Sequence, residues 1–114
     1  MEMATADLAR DLLPVIDDLE RALDASVADD GDARLEAFRT GVQMVHRQFL
    51  ETLRRRNIEP IEAVGSPFDP EWHEAIATEP AGDRPDGQIT GEIRRGYRIG
   101  DRLLRASLVR VAKA

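Results

Sequence analysis

The sequence predicts an α+β protein: an N-terminal helical hairpin that makes a four-helix bundle when two chains pair, followed by a small all-β domain. Three observations predict it. Apolar residues recur at steps of three and four through the first half. After Asn57 the period falls to two. Charge then reverses near Arg94: residues 1–56 carry 12 acids and 8 bases, residues 57–93 carry 9 acids and the single base Arg84, and residues 94–114 carry 7 bases and one acid, Asp101. The expected division is a helical, dimer-forming region over 1–56 and a β region over 57–114.

In the first half, Leu8, Leu12, Ile16, Leu19 and Leu23 share one helix face, and Leu13 and Val15 widen it. Pro14 interrupts the stripe. It removes a backbone donor and crowds the preceding turn, so a kink or a fresh start is expected, with residues 1–13 as the end of an earlier helix. "DASVADDGDA" (24–33) reads as a loop, with Asp30 or Asp32 as cap of the next helix. In that helix Leu35, Phe38, Val42, Val45, Phe49 and Thr52/Leu53 form a heptad seam. Arg54, Arg55 and Arg56 crowd its last turn, where cations favour the negative dipole end, and Asn57 suits a left-handed cap.

A lone hairpin leaves one face of each helix wet, whereas two hairpins bury both stripes. The expected dimer interface is Leu12, Ile16, Leu19, Leu23, Leu35, Phe38, Val42, Val45 and Phe49; the alternative is an intramolecular pair packed on the β region. Gly41, in mid-helix, costs about 1 kcal/mol against Ala. It marks either neutral drift or close approach of another backbone.

In the second half, "IEPIEA" (58–63) alternates apolar and acidic residues, and Pro60 suits an edge strand. "GSPFDPEWHEAIA" (65–77) is too rich in proline for a plain strand and reads as a turn pinning Phe68 and Trp72. "RPDG" (84–87) reads as a type I turn between strands near 75–79 and 88–95. Gly100-Asp101 makes a two-residue hairpin loop. Ile99 then faces Arg102, Tyr97 faces Leu104 and Ile93 faces Leu108. One face carries Ile93, Tyr97, Ile99, Leu104, Ala106 and Leu108 as core. The other carries Arg94, Arg98, Leu103, Arg105, Ser107, Val109 and Val111, with Gly96 opposite Arg105 clearing space. That second face suits an acidic protein partner with an apolar centre, or is solvated with its valines packed on a second small sheet.

Composition narrows the function. At 33% charged and 4% aromatic, the 114 residues are lean for a self-sufficient core, so burial against a second chain is expected. Cys is absent, which fits a cytoplasmic setting and excludes thiolate chemistry. No apolar run approaches the ~20 residues that span a bilayer, so no membrane partner is expected. "MEMATADLAR" lacks the basic and apolar regions of a signal peptide. The formal net charge of −6 argues against nucleic acid, whose phosphates need clustered positive charge. His73 lies near Asp69, Glu71 and Glu74, but the spacing fits no zinc motif, and a surface or packing histidine is the better reading. Asp29, Asp30 and Asp32 flank Gly31 without the spacing of a calcium loop. The chain has no phosphate loop, nucleophile elbow or dinucleotide fingerprint. It is read as neither an enzyme nor a metal or cofactor protein.

"FDPEWHEAI" (68–76), nineteen residues, then "GYRIGDRLLRASLVRV" (96–111) closely resembles the signature of the GrpE family, the nucleotide exchange factors of bacterial Hsp70 (DnaK) chaperones. "LLPVIDDLERAL" (12–23) is similar to the family's entry into its helical bundle, and "RRRNIEPIE" (54–62) to its helix-to-β junction. The resemblance implies a homodimer in which one β-wing wedges against the Hsp70 ATPase domain, opens its nucleotide cleft and releases ADP. It places the wing contacts on Phe68, Pro70, Ile93, Arg102 and Val111, with Arg102 as the charged contact and the others as an apolar patch. Because the simple register puts Ile93 and Val111 on opposite faces, it requires a bulge, such as one at Gly96, or makes one of the two core. Gly41 matches a helix glycine of the family, favouring close approach there. Family members carry a disordered start and a long paired helix before "LLPVID", where about a dozen residues stand here. An engineered piece with weakened exchange activity is therefore expected. Among other readings, the best is a dimeric adaptor for a different acidic protein.

Overall fold

The computed structural model describes residues 3–26 and 32–114. It divides into two compact units, Met1–Asn57 and Ile58–Ala114. The first is a pair of helices, α1 (Met3–Ala25) and α2 (Ala33–Arg54).

Helix α1 runs unbroken past Pro14, so of the two expected alternatives, a kink or a fresh start, the fresh start does not occur. The proline leaves the carbonyl of Arg10 without its helical partner, but Arg10 and Pro14 are both exposed, so water can take the place of the lost donor. Helix α2 opens on Asp32, whose Oδ1 accepts from the N–H groups of Arg34 at 3.0 Å and Leu35 at 3.4 Å. Asp30, the other candidate cap, lies outside the described residues. The helix closes as expected: the Asn57 N–H donates to the Arg54 carbonyl at 2.9 Å, and Asn57 itself sits at φ 62. Asn tolerates that left-handed conformation better than most residues.

Two polar contacts fix the helices antiparallel. His46 Nε2 lies 2.8 Å from Glu20 Oε2, and Arg39 Nε donates to Ser26 Oγ at 3.1 Å. This crossing places Leu13 level with Leu53. Leu13, Ile16 and Leu53 are buried, as are Ala6 and Ala9. Of the nine residues assigned to a dimer seam, Ile16 alone is fully buried in the single chain; Leu12, Leu19, Leu23, Leu35, Val42 and Phe49 are half-buried. Phe38 and Val45 are open at 69% and 55% exposure. Among the described residues no helix is long and apolar enough to cross a membrane.

The second unit holds six strands: β1 (Ile58–Pro60), β2 (His73–Pro80), β3 (Ile89–Arg94), β4 (Tyr97–Ile99), β5 (Arg102–Arg105) and β6 (Ser107–Lys113). They form two three-stranded sheets, ordered β1-β4-β5 and β2-β6-β3. All pairings are antiparallel except β2 with β6. The first strand stops at Pro60 rather than continuing to residue 63. Its middle residue, Glu59, pairs with Arg98 across the sheet at 2.9 Å.

The expected single hairpin over 93–111 is split between the two sheets, and this corrects its register. β3 and β4 are separated at Arg95-Gly96, β5 and β6 at Ala106. The extra residue at Ala106 re-phases the alternation. Leu104 is buried before it, whereas Ser107 and Val109, expected on the open face, are fully buried after it. Tyr97 faces Arg105 instead of Leu104, because the register shifts between Tyr97 and Arg98. Leu108 faces Arg94 instead of Ile93, because it also shifts between Glu92 and Arg94. Ile93, expected in the core, is 47% exposed. Gly96 lies against Ser107 rather than Arg105: a Cβ there would press on the backbone N of Ser107, and the Gly96 N–H donates to Ser107 Oγ at 3.0 Å. The bend between the sheets therefore depends on a residue with no side chain.

Two turns carry the rest. Gly100 sits at φ 58 and Asp101 is not in a positive-φ conformation, with Ile99 and Arg102 paired across them. This is the pattern of a type II′ hairpin turn with Gly at the first central position. The "RPDG" turn is displaced by one residue: the Gln88 N–H donates to the Pro85 carbonyl at 3.2 Å and Gly87 takes φ 87. Positive φ at the third position is the mark of type II rather than type I.

Candidate partner-binding surface on the β unit

The Phe68 segment is anchored by its ends. Phe68 N–H donates to the Gly87 carbonyl at 2.9 Å, and Pro67 forms a bridge with Gln88. The Phe68 side chain packs on the buried cluster of Ala63, Ile89 and Val109, beside Val111. Asp69 then turns the chain. Its carbonyl accepts from the N–H groups of Trp72 (3.0 Å) and His73 (2.9 Å). Its Oδ1 accepts from Glu71 N–H at 2.9 Å. That Asx-type turn, with Pro70 as the next residue, leaves Pro70 exposed at the bend.

His73 closes the loop from its far end. It is 7% exposed, and its Nδ1 accepts from the backbone N–H of Asp69 at 2.9 Å. The Phe68 ring lies 6.0 Å away, tilted by 41°. Burial lowers the pKa of His73 from its ordinary 6.5, against the opposing pull of the Asp69 carboxylate. The ring is thus a packing histidine, in line with the sequence reading. Among the described residues no group of three or more His, Asp or Glu side chains is placed to hold a metal ion.

At the β4–β5 tip, Arg98 buttresses the turn. Nη1 donates to the Gly100 carbonyl and Nη2 to Glu59 Oε2, both at 2.9 Å. Arg102, the first residue after the turn, is exposed. Further down the ribbon Arg105 donates to the Arg95 carbonyl at 2.8 Å and lies over the Tyr97 ring, 5.5 Å from its centroid. Within the basic C-terminal stretch Arg98 and Arg105 hold the ribbon, whereas Arg102 projects.

The five residues assigned to partner contact fall in three places. Phe68 and Val111 meet on the core of the β2-β6-β3 sheet, with Pro70 at the adjoining bend. Ile93 lies outward near the other end of β3. Arg102 stands at the tip of the β1-β4-β5 sheet. The conflict between Ile93 and Val111 resolves with Ile93 turned out at a bulge and Val111 half-buried. The sequence reading named Asp69 beside His73 and Ser107 on the open hairpin face, but gave neither the role it has here, holding the loop and the ribbon. An Asp before Pro, followed by His at the fourth position, was the available signal for the first. Nothing local marks Ser107.

The protein thus has a paired-helix unit with open apolar residues and a two-sheet unit with a buttressed, cation-tipped ribbon. The family model described as GrpE matches residues 1–113. Similar curated proteins include Protein GrpE of Desulfatibacillum aliphaticivorans, 39% identical over 110 residues, covering 96% of this chain and 53% of that protein. Protein GrpE of Syntrophobacter fumaroxidans is 41% identical over 111 residues (97% and 57%), and that of Acidobacterium capsulatum is 44% identical over 111 residues (97% and 51%). The chain belongs to the GrpE family. It spans about half the length of the curated relatives it matches.

Proposed function

We propose that this chain is a co-chaperone that binds the ATPase domain of Hsp70 (DnaK) and speeds ADP release by favouring the open nucleotide cleft. The supporting observation is the β4–β5 tip. Its type II′ turn is pinned by Arg98 on Gly100 and Glu59, and Arg102 is free of the buttress and exposed. A rigid projection carrying one cation suits a partner surface that is acidic and shaped. No bond is made or broken by such a factor. It acts by binding the open cleft better than the closed one, and by linkage ADP then binds less tightly. Pro70 and Ile93 extend the contact at the surface, whereas Phe68 and Val111 shape it from within.

The working form is a homodimer. Leu8 and Val15 on α1 and Phe38, Met44 and Val45 on α2 are all more than half exposed in the single chain, and two hairpins in a four-helix bundle cover such stripes. Gly41 floors a groove beside Met44 and Val45 with nothing within 4 Å of its missing Cβ, as close approach of a second helix requires. Cytoplasmic residence follows from the partner.

Calorimetric titration of the isolated ATPase domain tests the reading. Nucleotide-free domain should bind this chain at least ten times more tightly than ADP-saturated domain, a coupling of about 1.4 kcal/mol. Equal affinity for both would refute cleft opening. Binding to another acidic protein but not to Hsp70 would favour an adaptor.

A further inference from the structure

We propose that His73 is a positioning residue for partner binding: its neutral ring, by accepting the Asp69 N–H, latches the Phe68–Pro70 bend in its binding form, and taking up a proton opens the latch. The inference rests on the partner-binding reading above.

Four observations carry it. The ring is 7% exposed, so it has little water to fall back on. Nδ1 is the acceptor in the 2.9 Å contact, so the proton of the neutral ring is on Nε2. A doubly protonated imidazole is donor at both nitrogens, and two donors then oppose each other across that contact. Finally, the loop so held carries both Phe68, seated on the Ala63–Ile89–Val109 cluster, and the exposed Pro70.

The surroundings set the sign. The charged group facing the ring from the loop is Asp69, whose Oδ1 is already engaged by the Glu71 N–H. From β6 the paired residue is the neutral Ser107. The next residue along β2, Glu74, is exposed. Desolvation outweighs the attraction of Asp69, so the folded chain holds its proton less firmly than the unfolded chain does. The latch contributes fully above the ordinary pKa of 6.5 and is lost as pH falls below it.

Three forms of the full chain separate the possibilities: wild type, His73→Asn and His73→Leu. Asparagine Oδ1 takes the place of Nδ1 as acceptor and does not titrate; leucine fills the space without an acceptor. Hydrogen exchange of the Asp69 amide, corrected for intrinsic rate, needs no partner. Wild type should lose protection roughly tenfold between about pH 7.5 and about pH 5. His73→Asn should stay protected throughout, and His73→Leu should be unprotected throughout. Affinity for the Hsp70 ATPase domain at about pH 7.5 should fall roughly tenfold in His73→Leu and be restored in His73→Asn. Equal Asp69 protection in wild type and His73→Leu would overturn the latch. An acid loss in His73→Asn as steep as that of wild type would assign the titration to another group. Lost protection with unchanged affinity would overturn the positioning role alone. Absence of binding by wild type at every pH would remove the partner reading and the positioning role with it, while the exchange data still decide the latch.

Discussion

Replacing Gly96 with alanine should damage the β unit more than any other single methyl group. An ideal Cβ at this position would lie 2.5 Å from Ser107 Oγ and 2.8 Å from the Ala106 carbonyl carbon, and would press on the Ser107 backbone N. Ser107 has little room to retreat. Its N–H donates to the Trp72 carbonyl at 3.1 Å, and its residue pairs with His73 across β2. Overpacking against rigid backbone typically costs about 1–3 kcal/mol, and this site belongs at the upper end. Displacing Oγ also breaks its 3.0 Å contact with the Gly96 N–H, for about 1 kcal/mol more. The total, about 3–4 kcal/mol, is comparable with the about 3–9 kcal/mol that holds a unit of this size together. Urea unfolding followed by fluorescence reads it directly, since Trp72 is the chain's single tryptophan and its carbonyl is bonded to Ser107. A Gly96→Ala change within about 0.5 kcal/mol of wild type would refute the close-approach account of the bend.

Other substitutions give contrasting outcomes. At Gly91 the missing Cβ also meets close neighbours, but they are the guanidinium atoms of Arg110. That side chain can swing aside, so Gly91→Ala should cost under about 1 kcal/mol in the same urea titration. Gly41→Ala should raise thermal stability of the isolated hairpin by about 1 kcal/mol, yet weaken chain pairing measured by light scattering over a dilution series. Arg102→Glu should leave the far-ultraviolet circular dichroism and melting midpoint unchanged, since the side chain is exposed. It should weaken ATPase-domain binding at least tenfold, about 1.4 kcal/mol, by titration calorimetry.

What the sequence disclosed depended on the range of the interaction. Asp32, Asn57 and Gly100-Asp101 were legible because caps and tight turns are decided within four or five residues. The period change at Asn57 marked the end of helix and the start of strand for the same reason. The fresh start read at Pro14 does not occur, because the cost of a proline within a helix depends on the exposure of Arg10, a tertiary property. The ribbon misled more seriously. Its apolar alternation is regular through Leu104, and nothing local announces the extra residue at Ala106 that hands the strand from one sheet to the other. The parallel pairing of β2 with β6 joins residues more than thirty positions apart, beyond any periodic signal. Of the candidate contacts, Arg102 could be placed from the turn before it. The difference between the outward Ile93 and the half-buried Val111 could not, since it depends on the shift between Glu92 and Arg94.

Release of a fluorescent ADP analogue from Hsp70, followed by stopped flow with excess unlabelled ATP, tests the central claim most directly. Addition of this chain should speed release at least tenfold, and Arg102→Glu should abolish most of that gain. A release rate unchanged by this chain, with a full-length GrpE protein accelerating release in the same assay, would contradict the claim.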